Sequence, residues 1–255
     1  MITPDLLETS PRQRVVALTR PFAGVAVFAT VAWLGWWWLT PIVMFAIFVA
    51  VVTVTHDVVH RAIGLNARQT DWALFFCGLV LLESGHAYRI THLQHHRTFP
   101  SDDDPEGYPA HLSFLGAVVY GPVFLGRLWW WAWRRTPSAR GWLLAEAAMP
   151  FTAVIAGALL WPITPGLLVY AVMAIAGSWV YPLLTVYLPH HDFGDTPLTQ
   201  TRTLRGRIIP AIFLELTYHL EHHLHPQVPS HRLAELSRRL DPMFAAAGVR
   251  PRKVP

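Results

Sequence analysis

Charge is missing from long stretches of this 255-residue chain. Between Phe22 and Thr55 there is no Asp, Glu, Lys or Arg, and the stretches 142–161 and 166–188 hold only Glu146. A soluble helix of such length needs a polar face. With 53% hydrophobic side chains and a mean hydropathy of +0.34, the pattern excludes an ordinary soluble domain and indicates an integral membrane protein. Cysteine is nearly absent: Cys77 stands alone in an apolar run, which excludes an intramolecular disulfide and reads as a structural thiol. The first 21 residues have acidic side chains, internal prolines and no small-residue cleavage pattern, so they read as a cytoplasmic tail and not a signal peptide. The net charge of +4 and pI near 9.6 come without any run of basic residues alternating with aromatics, so nucleic acid is not the expected partner. There is no internal repeat and no biased tract beyond the acidic turn at 102–106.

The run 22–55 is too long for one perpendicular span of about 20 residues and has a natural break near Thr40 and Pro41. A second apolar pair, 142–161 and 166–188, is joined by Pro162, Ile163, Thr164 and Pro165, and prolines end helices where a chain must reverse. The expected fold is all-α, with four transmembrane helices (22–39, 41–56, 142–161 and 166–188) in two hairpins. In that topology both short turns lie on one side without Lys or Arg, and all 20 Lys and Arg lie on the other. The positive-inside rule then makes the tail, the segments 57–141 and 189–241 and both termini cytoplasmic. The single domain 1–255 is expected to carry its active site in a cytoplasmic helical cap. Residues 72–83 are too short to span, and 111–133, with Arg127 and its tryptophan cluster, reads as a surface-lying helix.

Against this apolar background stand eight histidines in three clusters: His56 and His60; His92, His95 and His96; His219, His222 and His223. Spacings of three and four place each cluster on one helical face. All three fall on the cytoplasmic side of the expected topology, so three faces can converge on one site. Neutral imidazole ligates zinc, iron, nickel and copper alike, but eight exceed what one tetrahedral ion takes and point to two metals. His190 and His191 follow the last span on the same side and are candidates for a further ligand. Asp57, Glu221, Asp192 and Glu215 are candidates to receive the outward N–H of a ligand imidazole, which fixes its tautomer. His86, His111, His225 and His231 lie outside the repeated spacing and are expected to be structural or supporting.

The ordered set HDVVH at 56–60, HLQHH at 92–96 and HLEHHLHPQVPSHRL at 219–233 resembles the membrane fatty acid desaturase and carotenoid hydroxylase superfamily, over roughly residues 45–240. That resemblance implies two non-haem iron ions, molecular oxygen as co-substrate, an external two-electron supply and a long apolar substrate taken from the bilayer. It implies an oxidoreductase working on unactivated C–H bonds. Acyl-lipid desaturation is the first expectation and a β-carotene hydroxylase or ketolase the alternative. No histidine is required as a general base, and no catalytic residue is expected beyond the ligands.

The chain has no CxxC, no ferredoxin cysteine pattern and no haem domain, so the electrons are expected from a ferredoxin or flavodoxin-like donor with its reductase. Arg134, Arg135, Arg140, Arg202, Arg205 and Arg207 are its expected docking face. A reading of another class is a zinc transporter or zinc-dependent membrane hydrolase. A transporter, however, places ionisable ligands near the bilayer midplane, whereas these clusters sit at span ends.

Overall fold

A computed structural model describes residues 3–255. Among the described residues the fold is all-α apart from one two-residue strand pairing and an isolated bridge between Thr203 and Tyr218. Four of its helical stretches are long and apolar enough to cross a bilayer: Pro4–Trp33, Trp37–Val59, Pro137–Leu160 and Gly166–His190. Within them α1 is Pro11–Trp33, α2 Thr40–Val59, and, after four intervening helices, α7 Arg140–Leu160 and α8 Gly166–Gly177. The last stretch continues beyond α8 through a π-helical turn at Pro182–Tyr187 to the short α9, Leu188–His190.

The first helix therefore starts and ends earlier than 22–39. Ser10 and Gln13 form a reciprocal cap that starts α1 at Pro11, so the helix takes up part of the expected tail. The reversal falls at Leu34–Leu39, where Gly35 adopts φ +73, and Thr40 and Pro41 open α2 instead of breaking a helix. Prolines mark the second reversal as expected, between Leu160 and Gly166.

Helix α2 is the axis of the core: every residue from Ile47 to Val59 is buried. Its partner α1 comes close because position 24 is glycine; a Cβ there would lie 2.6 Å from Ile47. Helices α7 and α8 meet the same way, with a Cβ at Gly157 falling 2.7 Å from the Leu168 Cα. Small residues at such crossings are how helices pack when lipid removes the hydrophobic drive between them. The outer faces carry Val27, Phe151, Ile155, Leu159 and Val172, all at least half exposed, which is stable only against hydrocarbon.

Between the two span pairs lie α3 (Ala67–Leu81), α4 (Gly85–Thr98), α5 (Phe114–Val119) and α6 (Gly121–Arg135); none is long enough to span. The chain after α9 holds the β1 strand Leu204–Arg205, α10 (Ile208–Ile212), α11 (His219–Leu224) and α12 (Leu233–Ala246), and β2, Arg252–Lys253, pairs in parallel with β1.

Glu146, the one charge inside the apolar stretches, is fully enclosed. It accepts from His86 Nδ1 at 2.6 Å and Ser84 Oγ at 2.5 Å, and the His86 ring stacks on Trp142 at 4.7 Å. This cluster ties the start of α4 to α7. Replacing only Glu146 by Ala takes the acceptor from the buried His86 Nδ1 and is expected to cost about 3–5 kcal/mol, whereas His86→Phe with Glu146→Leu recovers most of it. Thermal unfolding in detergent measures both.

Glu83, between α3 and α4, has a buried Oε1 without a partner, and burial pushes its carboxyl up from 4.5 to about 8. An acid that binds its proton more tightly when folded loses stability as pH rises from about 4.5 to about 8. Glu83→Gln is therefore expected to raise Tm by a few degrees at pH 8 and leave it unchanged at pH 4; equal Tm values at pH 8 would contradict this.

Candidate metal centre

Each histidine cluster comes from a helix whose end is fixed locally. Arg61, at φ +56, ends α2 just after His60, and Ala62 N–H closes back on the Asp57 carbonyl at 2.9 Å. This leaves His56 and His60 one turn apart, their rings 5.1 Å apart. Helix α4 presents His92, His95 and His96, and α11 presents His219, His222 and His223.

The three faces meet. His56, His60, His92 and His222 form one group of mutually close ligand nitrogens and His95, His190 and His223 a second, all within 4.8 Å inside each group. His96 adjoins the first group, with its Nε2 2.9 Å from His222 Nε2 and 3.2 Å from that of His92. His219 adjoins the second, 2.9 Å from His190 and 3.1 Å from His223. Of the two extra candidates His190 is in the set. His191 is not: its ring stacks on Tyr187 at 4.6 Å and meets the Arg202 guanidinium.

The outward nitrogens decide what the inward ones can do. His92 Nδ1 lies 3.1 Å from both oxygens of Glu106, His95 Nδ1 2.7 Å from Asp104, and His190 Nδ1 3.1 Å from the Gln200 carbonyl. Facing the Asp104 carboxylate and the Gln200 carbonyl, Nδ1 is the donor in His95 and His190, and in the neutral ring Nε2 keeps a lone pair. His95 Nε2 and His190 Nε2 nevertheless face each other at 3.3 Å. Two lone pairs so placed call for a cation between them, a proton or a metal ion.

Protonation is opposed for most of the set. Burial, and then the neighbouring imidazoles, push His60 down to about 2 and hold His92, His96, His219, His222 and His223 well below the usual range. For His95 burial also lowers the value, but Asp104 outweighs it and raises the ring above its usual range. Nitrogen pairs at 2.9–3.3 Å match neighbouring ligands on an ion bound at about 2.1 Å. The donor set therefore fits metal, and nine imidazoles are enough for two ions.

None of the four carboxylates proposed for ligand support reaches a ligand ring. Asp57 and Glu221 adjoin ligands in sequence, and one residue along a helix turns a side chain by about 100°, away from the metal face. Asp57 instead accepts from Ser230 N at 3.0 Å and Ser230 Oγ at 2.7 Å, with His56 Nδ1 at a non-bonding 3.8 Å. Glu221 accepts from Ser237 Oγ and lies 3.6 Å from Arg205. Asp192 is exposed beside His191 and Arg202, and Glu215 Oε2 has no partner. Asp57 and Glu221 thus fasten the α11 region to α2 and α12.

The supporting carboxylates are Asp104 and Glu106, in the acidic turn at 102–106, which no spacing rule connects to the histidines. Their position directly after the second histidine cluster was the available signal. Among the arginines, Arg202 is engaged by His191 and Arg205 by Asp241 and the Ser237 carbonyl, while Arg134, Arg135, Arg140 and Arg207 are exposed.

Beside the histidines lies a cavity of about 250 Å³ that touches His56, His92 and His219 and is otherwise walled mainly by apolar side chains such as Phe48, Val52, Leu184, Phe213 and Leu216. Tyr88 lines it too, stacked on His92 at 4.8 Å. Apolar spans, converging neutral imidazoles and an adjoining greasy cavity define a membrane metalloprotein with room for an apolar molecule beside its metal.

The Fatty acid desaturase family profile matches residues 32–255, and the chain belongs to that family. It is an oxidoreductase, and the family gives the zinc transporter and hydrolase readings no support. The chain is 28% identical to a β-carotene ketolase of Paracoccus sp. (strain N81106 / MBIC 01143), over 85% of this chain and 80% of that protein. It is 25% identical to an sn-1 oleoyl-lipid 12-desaturase of Picosynechococcus sp., over 90% and 79%. To a dihydrorhizobitoxine desaturase of Bradyrhizobium elkanii it is 27% identical, over 82% and 70%.

His222→Ala or His95→Ala is expected to remove nearly all bound metal, read by elemental analysis of the purified protein. Asp104→Asn keeps the ring but weakens its support, with an expected loss of about 10- to 100-fold in metal affinity. His225→Ala should leave metal content unchanged. Full metal in the His222 variant would contradict the arrangement.

Proposed function

We propose that this protein uses a histidine-held pair of iron ions, molecular oxygen and externally supplied electrons to oxidise an unactivated C–H bond of a long apolar lipid, and that the substrate end is a carotenoid ring. The single observation that carries the reading is the apolar cavity opening onto His56, His92 and His219. When bound, the iron pair supplies the activation of oxygen. The nine imidazoles His56, His60, His92, His95, His96, His190, His219, His222 and His223 hold it, and Asp104 and Glu106 fix the His95 and His92 rings. The apolar walls exclude water and position one C–H bond, and Tyr88 braces the His92 ring from the cavity side. None of these roles asks a histidine to carry a proton.

The ring reading rests on the cavity's shape. Its α2 wall runs from Phe48 to His56, about 12 Å of helix, which is adequate for the end of a molecule. The similarity to a β-carotene ketolase supports it. Acyl-lipid desaturation is the second reading, favoured by the match to the oleoyl-lipid desaturase over 90% of this chain.

The charge map supports two membrane hairpins with cytoplasmic termini, and the metal centre in a cytoplasmic cap formed by 57–141 and 189–241. The test is expression in membranes with a ferredoxin and its reductase, metal analysis, and mass spectrometry of supplied β-carotene and of acyl lipids. A ring hydroxyl or ketone is the expected product. A new acyl double bond would instead establish the second reading, and one zinc with oxygen-insensitive activity would overturn both.

A further inference from the structure

Helix α10, Ile208–Ile212, is apolar on both sides. Ile209 and, just past the helix, Phe213 line the substrate cavity, whereas Ile208 and Ile212 stand outside it, 60% and 47% exposed. No charged side chain falls between Arg207 and Glu215. A helix without a polar face is unsuited to water, and the outer face of this one suits hydrocarbon. Its depth agrees. Phe213 meets Phe45 of α2 edge to face, ring centroids 5.8 Å apart, and Phe45 precedes His56 by about 16 Å of helix, near the middle of the span Trp37–Val59. The chain thus enters the apolar zone at Arg207, reaches Phe213 and returns to His219.

Both ends of this re-entrant piece are held in unusual ways. At its start Ile208 N–H and Ile209 N–H donate to the Pro255 oxygen at 3.0 and 3.1 Å. The strap 252–255 is itself fastened, Arg252 N–H donating to the Thr203 carbonyl at 3.0 Å and Val254 N–H to the Arg205 carbonyl at 2.9 Å. At the other end Leu214 and Glu215 stand at φ +48 and +70, a left-handed conformation that is costly for residues with such side chains. Glu215 also keeps a buried Oε2 without a partner. Among the described residues no helix packs along α10. A groove of about 660 Å³, lined by Leu214, Glu215, Ala50 and Val54, gives this hinge room to turn. Strain at one end, a backbone latch at the other and sparse packing between them mark a segment with a second accessible position.

We infer that α10 is a door between the bilayer and the cavity, hinged at Leu214–Glu215 and latched by 252–255, which admits a long apolar molecule sideways to His56, His92 and His219. Such a molecule does not reach the cavity through water, so a wall has to part, and α10 is a wall with apolar atoms on both sides. Shut, its outer face meets lipid acyl chains and its inner face meets the substrate. The inference rests on the proposed reading of the cavity as the substrate site.

The test uses the full-length, metal-loaded protein in phosphatidylcholine nanodiscs, with Phe45→Cys/Phe213→Cys joined by a short, reducible bis-methanethiosulfonate linker. The native Cys77 is buried and does not compete. β-Carotene and a tritiated oleoyl lipid are supplied in parallel from vesicles, and the amount of each retained by the captured protein is followed over time. Linking is expected to slow loading on the order of 10-fold, and to slow release by the same factor when the protein is loaded before it is linked. Final occupancy and metal content should equal those of the reduced form, and reductant should restore both rates. A distorted cavity would instead lower occupancy. Leu214→Gly adopts φ +48 without strain, which favours the shut position, so it should load several-fold more slowly than wild type.

Loading of the linked protein at the rate of its reduced form would overturn the inference, as would lowered final occupancy, or Leu214→Gly loading at or above the wild-type rate. Slowed loading of the oleoyl lipid, with no β-carotene retained by any form, would end the ring reading and leave the door standing. Retention of neither probe by wild type would overturn the door together with the substrate reading.

Discussion

The structure depends on bringing nine imidazoles together with their metal-facing nitrogens unprotonated. Such an assembly has no stability of its own: the rings are desolvated, they repel one another if charged, and neutral rings turn lone pairs on each other, as His95 and His190 do. The surrounding protein must hold the rings in place, and a bound cation then converts the repulsion into ligation. Several other features follow from this. Helix α2 is buried from Ile47 to Val59 because that part carries His56 and His60 into the centre. Asp57 binds Ser230 and Glu221 binds Ser237 because α11, only six residues long, cannot hold three ligands without bracing. Glu146 is enclosed within an apolar helix because its partner His86 fixes the start of α4, the helix that supplies three ligands.

The amino-acid order made most of this readable where one helical period governs the outcome. Charge-free runs fix where helices can meet hydrocarbon, and histidines three and four apart must share a face wherever the backbone is helical. What escaped the sequence depends on contacts that helical period does not encode. Asp104 and Glu106 reach His95 and His92 through an irregular turn, so nothing in their spacing distinguishes them from a solvated acidic loop. Asp57 and Glu221 looked better placed because they adjoin ligands in sequence, but adjacency on a helix means divergence by about 100°. The choice between His190 and His191 was equally hidden. The helix ends between them, and His190 turns inward to the cluster while His191 turns back to Tyr187 and Arg202.

The acidic turn has a second consequence. Asp104 and Glu106 are two residues apart and face different spaces: Asp104 lines a polar groove along α6 and holds His95, and Glu106 lines the apolar cavity and holds His92. The backbone N–H of Glu106 donates to Asp104 Oδ1 at 2.9 Å, which fastens the Asp104 carboxylate to the backbone of the residue that holds His92. One short segment thus separates a charged approach from an apolar one and couples both to the same set of ligands. The fold keeps its apolar side toward α2 and the π-helical turn, and leaves the polar side to α6 and a five-residue turn.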